Sequence, residues 1–267
     1  MILKPSEIAP LSAILFTEMI DEAGFPPGVF NLVNGDGKGV GTQISCHSDI
    51  DMISFTGSTR AGRLITKNAA DTVKRVCLEL GGKGANIVFD DAFLPAAING
   101  SAFAIFHNQG QACIAGSRLL LHERIADEFL DGFLALAKSI KLGNPLDPET
   151  EMGPLTSARQ QKAVLTYCDI AQQEGGEILT GGEPPETPEL SKGYYVKPTV
   201  AKAQPQDRVC QEEVFGPFVS VTTFSSEEED INLANSTEYG QARGLWTRDL
   251  SRAHQVAAAI RSGMHWI

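Results

Sequence analysis

The sequence contains no apolar run that reaches the roughly 18 residues needed to cross a membrane. Residues 1–5 do not follow the layout of a signal peptide. Basic residues are few, with 22 Lys and Arg against 33 Asp and Glu and a formal net charge of −11 at pH 7. Such an acidic chain disfavours nucleic acid and anionic membranes as partners. We therefore expect a cytoplasmic protein with no nucleic-acid and no membrane partner.

Disulfide and metal-binding patterns are also missing. The five cysteines are scattered and form no Cys-x-x-Cys pair, and the five histidines show no ligand spacing. The pattern argues against a disulfide framework and a zinc site, and it fits reduced thiols in a cytosolic enzyme. We predict no metal site. We interpret the histidines and the cysteines other than Cys113 as structural, except His107, which lies just before the loop of Cys113.

The standard dinucleotide-binding fingerprint is absent as well. The glycine run at 35–41 does not fit G-x-G-x-x-G in any register, so by itself it indicates a flexible turn before a helix at 40–46. A strand at 51–55 then leads into Gly57-Ser58-Thr59, which opens another helix. A Ser in this place is either a plain N-cap or part of an anion site at the helix N-terminus. These strand–helix units predict a doubly wound parallel sheet.

The rest of the chain continues the alternation of strands and helices. A strand at 74–80 ends at Leu80-Gly81-Gly82, where we place a boundary between domains of residues 1–81 and 82–267. A clear amphipathic helix is predicted at 125–140 and a surface loop rich in Gly and Pro at 181–193. The remaining predicted helices are 11–19, 95–106, 158–174, 227–235 and 250–260, and the remaining strands are 1–3, 29–33, 119–121, 219–224, 244–247 and 263–267, with 86–89 beginning a second α/β unit.

One stretch, residues 108–118, carries the strongest chemical signal. It places Cys113 among Gly110, Ala112, Ala115 and Gly116, small residues that leave room for a molecule to approach the sulfur. Free cysteines are often simply buried, so this stretch alone leaves a structural thiol as an equal alternative. A second stretch favours function, since Glu79 stands in an apolar strand where an unpaired charge is costly.

Five motifs together resemble the NAD(P)-dependent aldehyde dehydrogenases. They occur in that family's order, at close to its spacing and from the first residues to the last: Lys4-Pro5-Ser6-Glu7, Phe55-Thr56-Gly57-Ser58-Thr59, Leu78-Glu79-Leu80-Gly81-Gly82-Lys83, Gly110-Gln111-Ala112-Cys113 and Glu212-Glu213-Val214-Phe215-Gly216-Pro217. The resemblance implies an α/β fold. Residues 1–81 would be the C-terminal part of a Rossmann-like, parallel-sheet nucleotide-binding domain, and residues 82–267 an α/β catalytic domain of aldehyde dehydrogenase type.

The resemblance also implies a reaction. Cys113 matches the family's nucleophile, which would oxidise an aldehyde to a carboxylic acid through a thiohemiacetal and a thioester. Glu79 matches the general base that activates water, and its apolar strand is predicted to desolvate it, as suits a base working near neutral pH. The backbone N–H of Cys113 would stabilise the oxyanion. A small-molecule aldehyde is the implied substrate, but the sequence does not identify it.

NAD is the implied cofactor, with NADP as the alternative. Lys4 and Glu7 resemble ligands of the adenine ribose, and a carboxylate at Glu7 would repel a 2′-phosphate, which favours NAD. Glu213 resembles a ligand of the nicotinamide ribose, although acidic pairs such as Glu212-Glu213 are more commonly solvated. The other cofactor contacts that the resemblance implies are Gly41 near the adenine, Gly57 and Ser58 at the pyrophosphate, Phe215 beside the nicotinamide, and Leu80.

Two departures from the family pattern concern the ends of the chain. The family's second oxyanion donor is an Asn that lies upstream of the Lys-Pro-Ser-Glu motif, and its pattern continues beyond Trp266-Ile267 into a segment that closes the substrate site and pairs subunits. The sequence therefore looks like a central fragment of an aldehyde dehydrogenase. We expect it to have little activity by itself and the full-length form to be a homo-oligomer. A non-catalytic protein of this fold is one alternative, and an enzyme that passes the acyl group to coenzyme A is another, which Glu79 disfavours.

Overall fold

The computed structural model describes all 267 residues, and the chain divides into two compact units, Met1–Gly81 and Gly82–Ile267. No helix in it has both the length and the apolar character that a membrane crossing requires. All five cysteines are free thiols.

The first unit is built from short parallel strands and the helices that connect them. Its elements are β1 (Ile2–Leu3), α1 (Leu11–Glu22), β2 (Asn31–Leu32), α2 (Thr42–Cys46), β3 (Met52–Thr56), α3 (Thr59–Ala69) and β4 (Arg75–Glu79). Strand β1 pairs with β2, and β3 with β4, in two separate parallel sheets. Parallel neighbours need a crossover connection, and α1 and α3 supply it. The parallel α/β character expected from the sequence is confirmed.

Two helical segments of this unit differ from the expectation. The glycine run Gly37–Gly41 is a π-helical turn that continues directly into α2, so it is part of a helical segment and not a flexible turn. Helix α1 forms where the periodicity predicts it but buries none of its residues, and Leu15 and Phe16 are each more than half exposed. A helical period predicts the conformation, whereas burial depends on what packs against the apolar face.

The second unit contains a larger, seven-stranded sheet. Its elements are β5 (Ala85–Val88), α4 (Leu94–Phe106), β6 (Arg118–His122), α5 (Ala126–Ser139), α6 (Ala158–Gln173), β7 (Glu177–Thr180), β8 (Thr199–Lys202), α7 (Arg208–Gln211), β9 (Phe218–Phe224), α8 (Glu227–Ala234), β10 (Ala242–Trp246), α9 (Leu250–Ala259) and β11 (Met264–Trp266). The strand order is β11-β10-β5-β6-β9-β8-β7. Every neighbouring pair is parallel except β7 and β8.

Helices cover both faces of this sheet, and the alternation along β6 shows why. Leu119 and Leu121 belong to the core cluster that contains Phe129 and Phe133 of α5, whereas Leu120 belongs to the cluster that contains Val256 of α9. Successive side chains of a strand point to opposite faces, so a strand apolar throughout must be covered on both sides. The apolar face predicted for the helix at 125–140 is therefore part of the main core.

The sequence patterns missed three short elements of this unit. Strands β7 and β8 and helix α7 each contain four residues, too few to show a period of their own. The predicted surface loop at 181–193 includes one 3-10 turn, Pro188–Leu190. Elsewhere the predicted helices and strands occur with ends shifted by a few residues, the usual accuracy of such boundaries.

Candidate active site

The loop of Cys113 lies at the amino end of β6, and three further loops meet it there. These loops precede β5 and β9, which flank β6 in the sheet, and β10, which lies next to β5. A Cβ at Gly82 would lie 1.8 Å from the carbonyl oxygen of Cys113, and a Cβ at Gly84 would lie 2.7 Å from that of Ala115. A larger residue at either Gly82 or Gly84 would displace the loop, so these glycines set the position of Cys113.

The backbone before Cys113 adopts an uncommon conformation. Asn108, Gln109 and Gly110 have φ angles of +51°, +56° and +66°, three consecutive left-handed residues after the end of α4. This conformation costs about 1–2 kcal/mol for each non-glycine residue. The Asn108 amide donates to the Gln111 carbonyl at 3.1 Å, and a Cβ at Gly110 would lie 2.0 Å from the Gly216 carbonyl. Packing therefore holds the turn in place, and strain maintained in this way is concentrated at functional sites.

Cys113 differs from the four other cysteines in its surroundings. It is half-buried, and its Sγ accepts a hydrogen bond from Nε2 of Gln241 at 3.1 Å. Its backbone N–H donates to no other group of the chain, which leaves it available to a ligand. Burial raises the pKa of the Cys168 thiol to about 12 and also raises the pKa of Cys210. Those two thiols are therefore poor nucleophiles.

The remaining two cysteines require a correction. Cys46 and Cys77 are exposed and are not packed structural thiols. His107, the one histidine singled out from the sequence, is also exposed and stacks on the Phe103 ring with 4.7 Å between centroids.

The acidic pair Glu212-Glu213 is not simply solvated, because each carboxylate has its own partners. Glu212 accepts from Arg208 and from the Tyr167 hydroxyl, both at 2.8 Å, and the Arg208 hydrogen bond lowers the pKa of Glu212. Glu213 accepts from the Gly82 N–H at 2.9 Å. Burial raises the pKa of Glu213, while the Gly82 N–H and Lys83 oppose that shift. Glu213 is thus joined to the segment that packs on Cys113.

Phe215 follows this pair with its ring on the surface. It has a φ of +56°, and its side chain is 38% exposed. The amide of Gln160 donates to the Phe215 carbonyl at 2.7 Å and fixes this turn. The ring is therefore a fixed apolar surface on the loop that carries Glu213.

Two buried cations of this unit lie within stretches that the sequence singled out, but the sequence assigned neither of them a role. Lys83 is fully buried, its Nζ has no hydrogen-bond partner, and burial lowers its pKa to about 7. Arg118 donates to the carbonyl of Lys83 at 3.1 Å and to those of Leu233 and Ala234 at 2.7 and 2.8 Å. These last two carbonyls belong to the last two residues of α8. Arg118 therefore fastens the segment after Gly82 to this helix end.

In the first unit, Lys4, Glu7 and Gly41 lie close together beyond the carboxyl end of β1. Nζ of Lys4 donates to the Gly35 carbonyl at 2.8 Å and lies 3.9 Å from Oε2 of Glu7. A Cβ at Gly41 would lie 4.0 Å from Cε of Lys4. An ammonium beside a half-exposed carboxylate offers both a donor and an acceptor to ribose hydroxyls, so this donor set fits a nucleotide.

A second group lies at the carboxyl ends of β3 and β4. The Gly57 N–H donates to the Glu79 carbonyl at 2.9 Å, and Ser58 Oγ accepts from the Ala61 N–H at 3.3 Å as the N-cap of α3. The side chain of Leu80 packs on Gly62 of α3, where a Cβ would lie 2.5 Å from Leu80 Cδ2. The N-terminus of α3 presents backbone N–H groups of the kind that bind phosphates.

The surroundings of Glu79 differ from the expectation. Its side chain is exposed, so the desolvation predicted from the apolar strand is absent. The physical reason lies in the sheet: β3 and β4 form a pair of their own, and the end of β4 that carries Glu79 is uncovered.

The fold and the site together define an α/β protein with a polar cysteine loop at the amino-terminal edge of a parallel sheet. The pattern of the Aldehyde dehydrogenase family matches residues 1–267, and the chain belongs to that family. The family resemblance inferred from the five motifs is thereby confirmed.

Individual relatives give the same result. The chain is 48% identical over 267 residues to betaine aldehyde dehydrogenase of Bacillus subtilis, a match that covers 100% of this chain and 54% of the relative. Among solved structures it is similar to a putative aldehyde dehydrogenase from Burkholderia cenocepacia, with 60% identity, a TM-score of 0.99 and coverage of 100% and 55% of the two chains. PnpE from Pseudomonas sp. WBC-3 gives the same four values and was also solved in complex with nicotinamide adenine dinucleotide. The chain thus spans about half the length of these relatives.

Proposed function

We propose that this chain carries the nucleophile, the base and the principal cofactor ligands of an NAD-dependent aldehyde dehydrogenase. The observation that carries the proposal is the loop of Cys113. Its sulfur is half-buried and hydrogen-bonded, its own backbone N–H is unpaired, and Gly82 joins it to Glu213. The family membership and the cofactor bound to PnpE support the choice of NAD.

The roles of the two units follow from this proposal. Residues 1–81 act as the C-terminal part of the nucleotide-binding domain, and residues 82–267 act as the catalytic domain. A homo-oligomer in the full-length form and a cytoplasmic location stay predictions.

The chemistry at Cys113 begins with the thiolate. Sγ attacks the aldehyde carbon, a C–S bond forms, and the carbonyl π pair moves to oxygen, where the Cys113 N–H donates to the oxyanion. NAD, when bound, would supply the hydride acceptor: as the C–H bond of the former aldehyde carbon breaks, the oxyanion's electron pair re-forms the carbonyl and a thioester remains on Cys113. Glu79 then removes a proton from water, which attacks the thioester carbon. The C–S bond breaks, its electron pair returns to sulfur, and the carboxylic acid leaves.

The test of this function is a turnover assay of the full-length form with a panel of aldehydes, because little activity is expected of this chain by itself. We expect NADH absorbance to rise in proportion to the carboxylic acid formed, with at least one aldehyde among quaternary-ammonium, amino and uncharged aliphatic members. The names of the relatives suggest the first two classes. Protein that binds NAD but forms neither NADH nor acid with any aldehyde would support the non-catalytic alternative.

Glu7 should set the preference for NAD over NADP. Its carboxylate would lie beside the 2′-position of the adenine ribose, and two like charges about 4 Å apart near a protein surface repel by up to ~4 kcal/mol. We expect NAD to bind at least about tenfold more tightly than NADP. Glu7→Gln should narrow that gap, mainly through tighter NADP binding.

Calorimetric titration of both cofactors measures this gap. Glu22→Gln provides the control, because Glu22 is an exposed residue at the end of the neighbouring helix α1 and should leave both affinities unchanged. Equal affinities of the unmodified protein for NAD and NADP would show that Glu7 does not face the ribose.

A further inference from the structure

The hydrogen bond between Gln241 and Cys113 joins residues that are 128 positions apart and has no counterpart among the sequence motifs. Gln241 is half-buried and stands immediately before β10. Its backbone carbonyl accepts from the Met264 N–H at 3.0 Å, which anchors it to the sheet. Its side-chain Oε1 points toward Gly82, 3.6 Å from where a Cβ would be. In this arrangement the amide N–H faces the sulfur.

We propose that Gln241 is a catalytic residue that stabilises Cys113 as a thiolate. A neutral thiol is a weak acceptor, whereas a thiolate accepts strongly, so an amide N–H aimed at sulfur favours the charged form. The thiolate is the reactive nucleophile of a cysteine. The amide carries no charge and does not titrate, so it exerts this effect at every pH. The catalytic meaning of the bond rests on the function proposed above.

The bond should act at both ends of the reaction. Before the aldehyde reacts, the Gln241 N–H increases the fraction of Cys113 that is thiolate but lowers the intrinsic nucleophilicity of each thiolate. When the thioester breaks, the electron pair of the C–S bond returns to sulfur, and the same N–H stabilises the departing thiolate. Gln241 therefore promotes both formation and release of the acyl group at pH values where the free thiol would otherwise predominate.

The experiment measures alkylation of Cys113 by iodoacetamide as a function of pH, without aldehyde or cofactor. Mapping the alkylated peptides separates Cys113 from the exposed Cys46 and Cys77. Gln241→Met keeps the length of the side chain and removes the donor, and Gln241→Leu is a second variant without a donor. Gln161→Met is the matched control, because it removes an amide that donates to the Tyr195 carbonyl at 2.9 Å and not to the thiol.

Both Gln241 variants should shift the midpoint of the alkylation profile upward by about one pH unit. A hydrogen bond to a charged group changes the equilibrium between thiol and thiolate by roughly tenfold. Below the midpoint their rates should fall about tenfold, and well above it they should equal or exceed the unmodified rate. The titratable groups on the four loops around Cys113 are not altered by these changes: Lys83, His107, Glu212, Glu213, Glu238 and Tyr239. The control should keep the unmodified profile.

Two outcomes overturn the proposal. An unchanged profile would show that the bond does not favour the thiolate, and an equal loss of rate at every pH would show that Gln241 only governs access to the sulfur. Neither outcome depends on dehydrogenase turnover, which the aldehyde panel measures separately. A failure of the proposed function is therefore distinguishable from a failure of this inference.

Discussion

In the full-length form, replacing Cys113 by Ala should abolish aldehyde oxidation, with a fall in turnover on the order of 10⁴- to 10⁶-fold, as for the loss of other covalent nucleophiles. In the proposed mechanism both the thiohemiacetal and the thioester form on this sulfur, so without it neither hydride transfer nor acyl release would have a covalent intermediate. The measurement is NADH formation, together with mass analysis of acid-quenched protein for an acyl adduct. NAD affinity should be retained, because Cys113 donates no group to the nucleotide in the proposed roles.

Cys77→Ala is the control for this prediction, because Cys77 is an exposed thiol on β4 with no proposed role. It should turn over normally and still form the adduct. In the unmodified protein iodoacetamide should label Cys113 ahead of Cys168 and Cys210, whose pKa values burial raises. An acyl adduct that persists in Cys113→Ala would assign the nucleophile to another residue.

In the full-length form, Glu79→Gln should lower steady-state turnover by about 10²- to 10⁴-fold, the usual effect of losing a general base. The amide keeps the shape of the carboxylate and loses its basicity, so water attack on the thioester slows more than hydride transfer does. Rapid mixing with NAD and an aldehyde should therefore show a burst of NADH close to one per site, followed by slow turnover. The acyl adduct on Cys113 should accumulate in the same reaction.

Glu177→Gln is a suitable control, since Glu177 is an exposed carboxylate at the start of β7 with no proposed role. It should show neither the burst nor the slow phase. Unchanged steady-state turnover in Glu79→Gln would remove Glu79 from the mechanism. The exposure of Glu79 makes this experiment decisive, because its role rests on the motif match and not on a desolvated setting.

The location of the cysteine loop depends on the sheet and not on the local sequence. The small residues around Cys113 indicate an accessible thiol, and the predicted strand at 119–121 places its loop just before that strand, but neither shows which other loops lie beside it. The strand order places β10, β5, β6 and β9 side by side, and only this order brings their preceding loops together. The contact of Gly82 with Glu213 spans 131 residues, a separation over which no local pattern carries information.

By itself the sequence determined the local helix and strand conformations of this protein and the reactive residues that it carries. Its hydrophobic periods predicted the positions of helices such as α5, its apolar run at 119–121 predicted a strand, and the motifs that contain Cys113, Glu79 and Glu213 indicated the family. These are short-range properties, readable because the helical and strand periods act over neighbouring residues.

Only the tertiary structure decided which residues are buried and which side chains contact each other. Leu15 and Phe16 of α1 and Glu79 of β4 are exposed, although their patterns suggested covered positions. Gln241 reaches the sulfur of Cys113 because the pairing of β10 with β5 and of β5 with β6 brings their amino ends together. Desolvation and hydrogen bonding depend on the atoms that surround a group in space, and strand order, which joins distant segments, determines those neighbours.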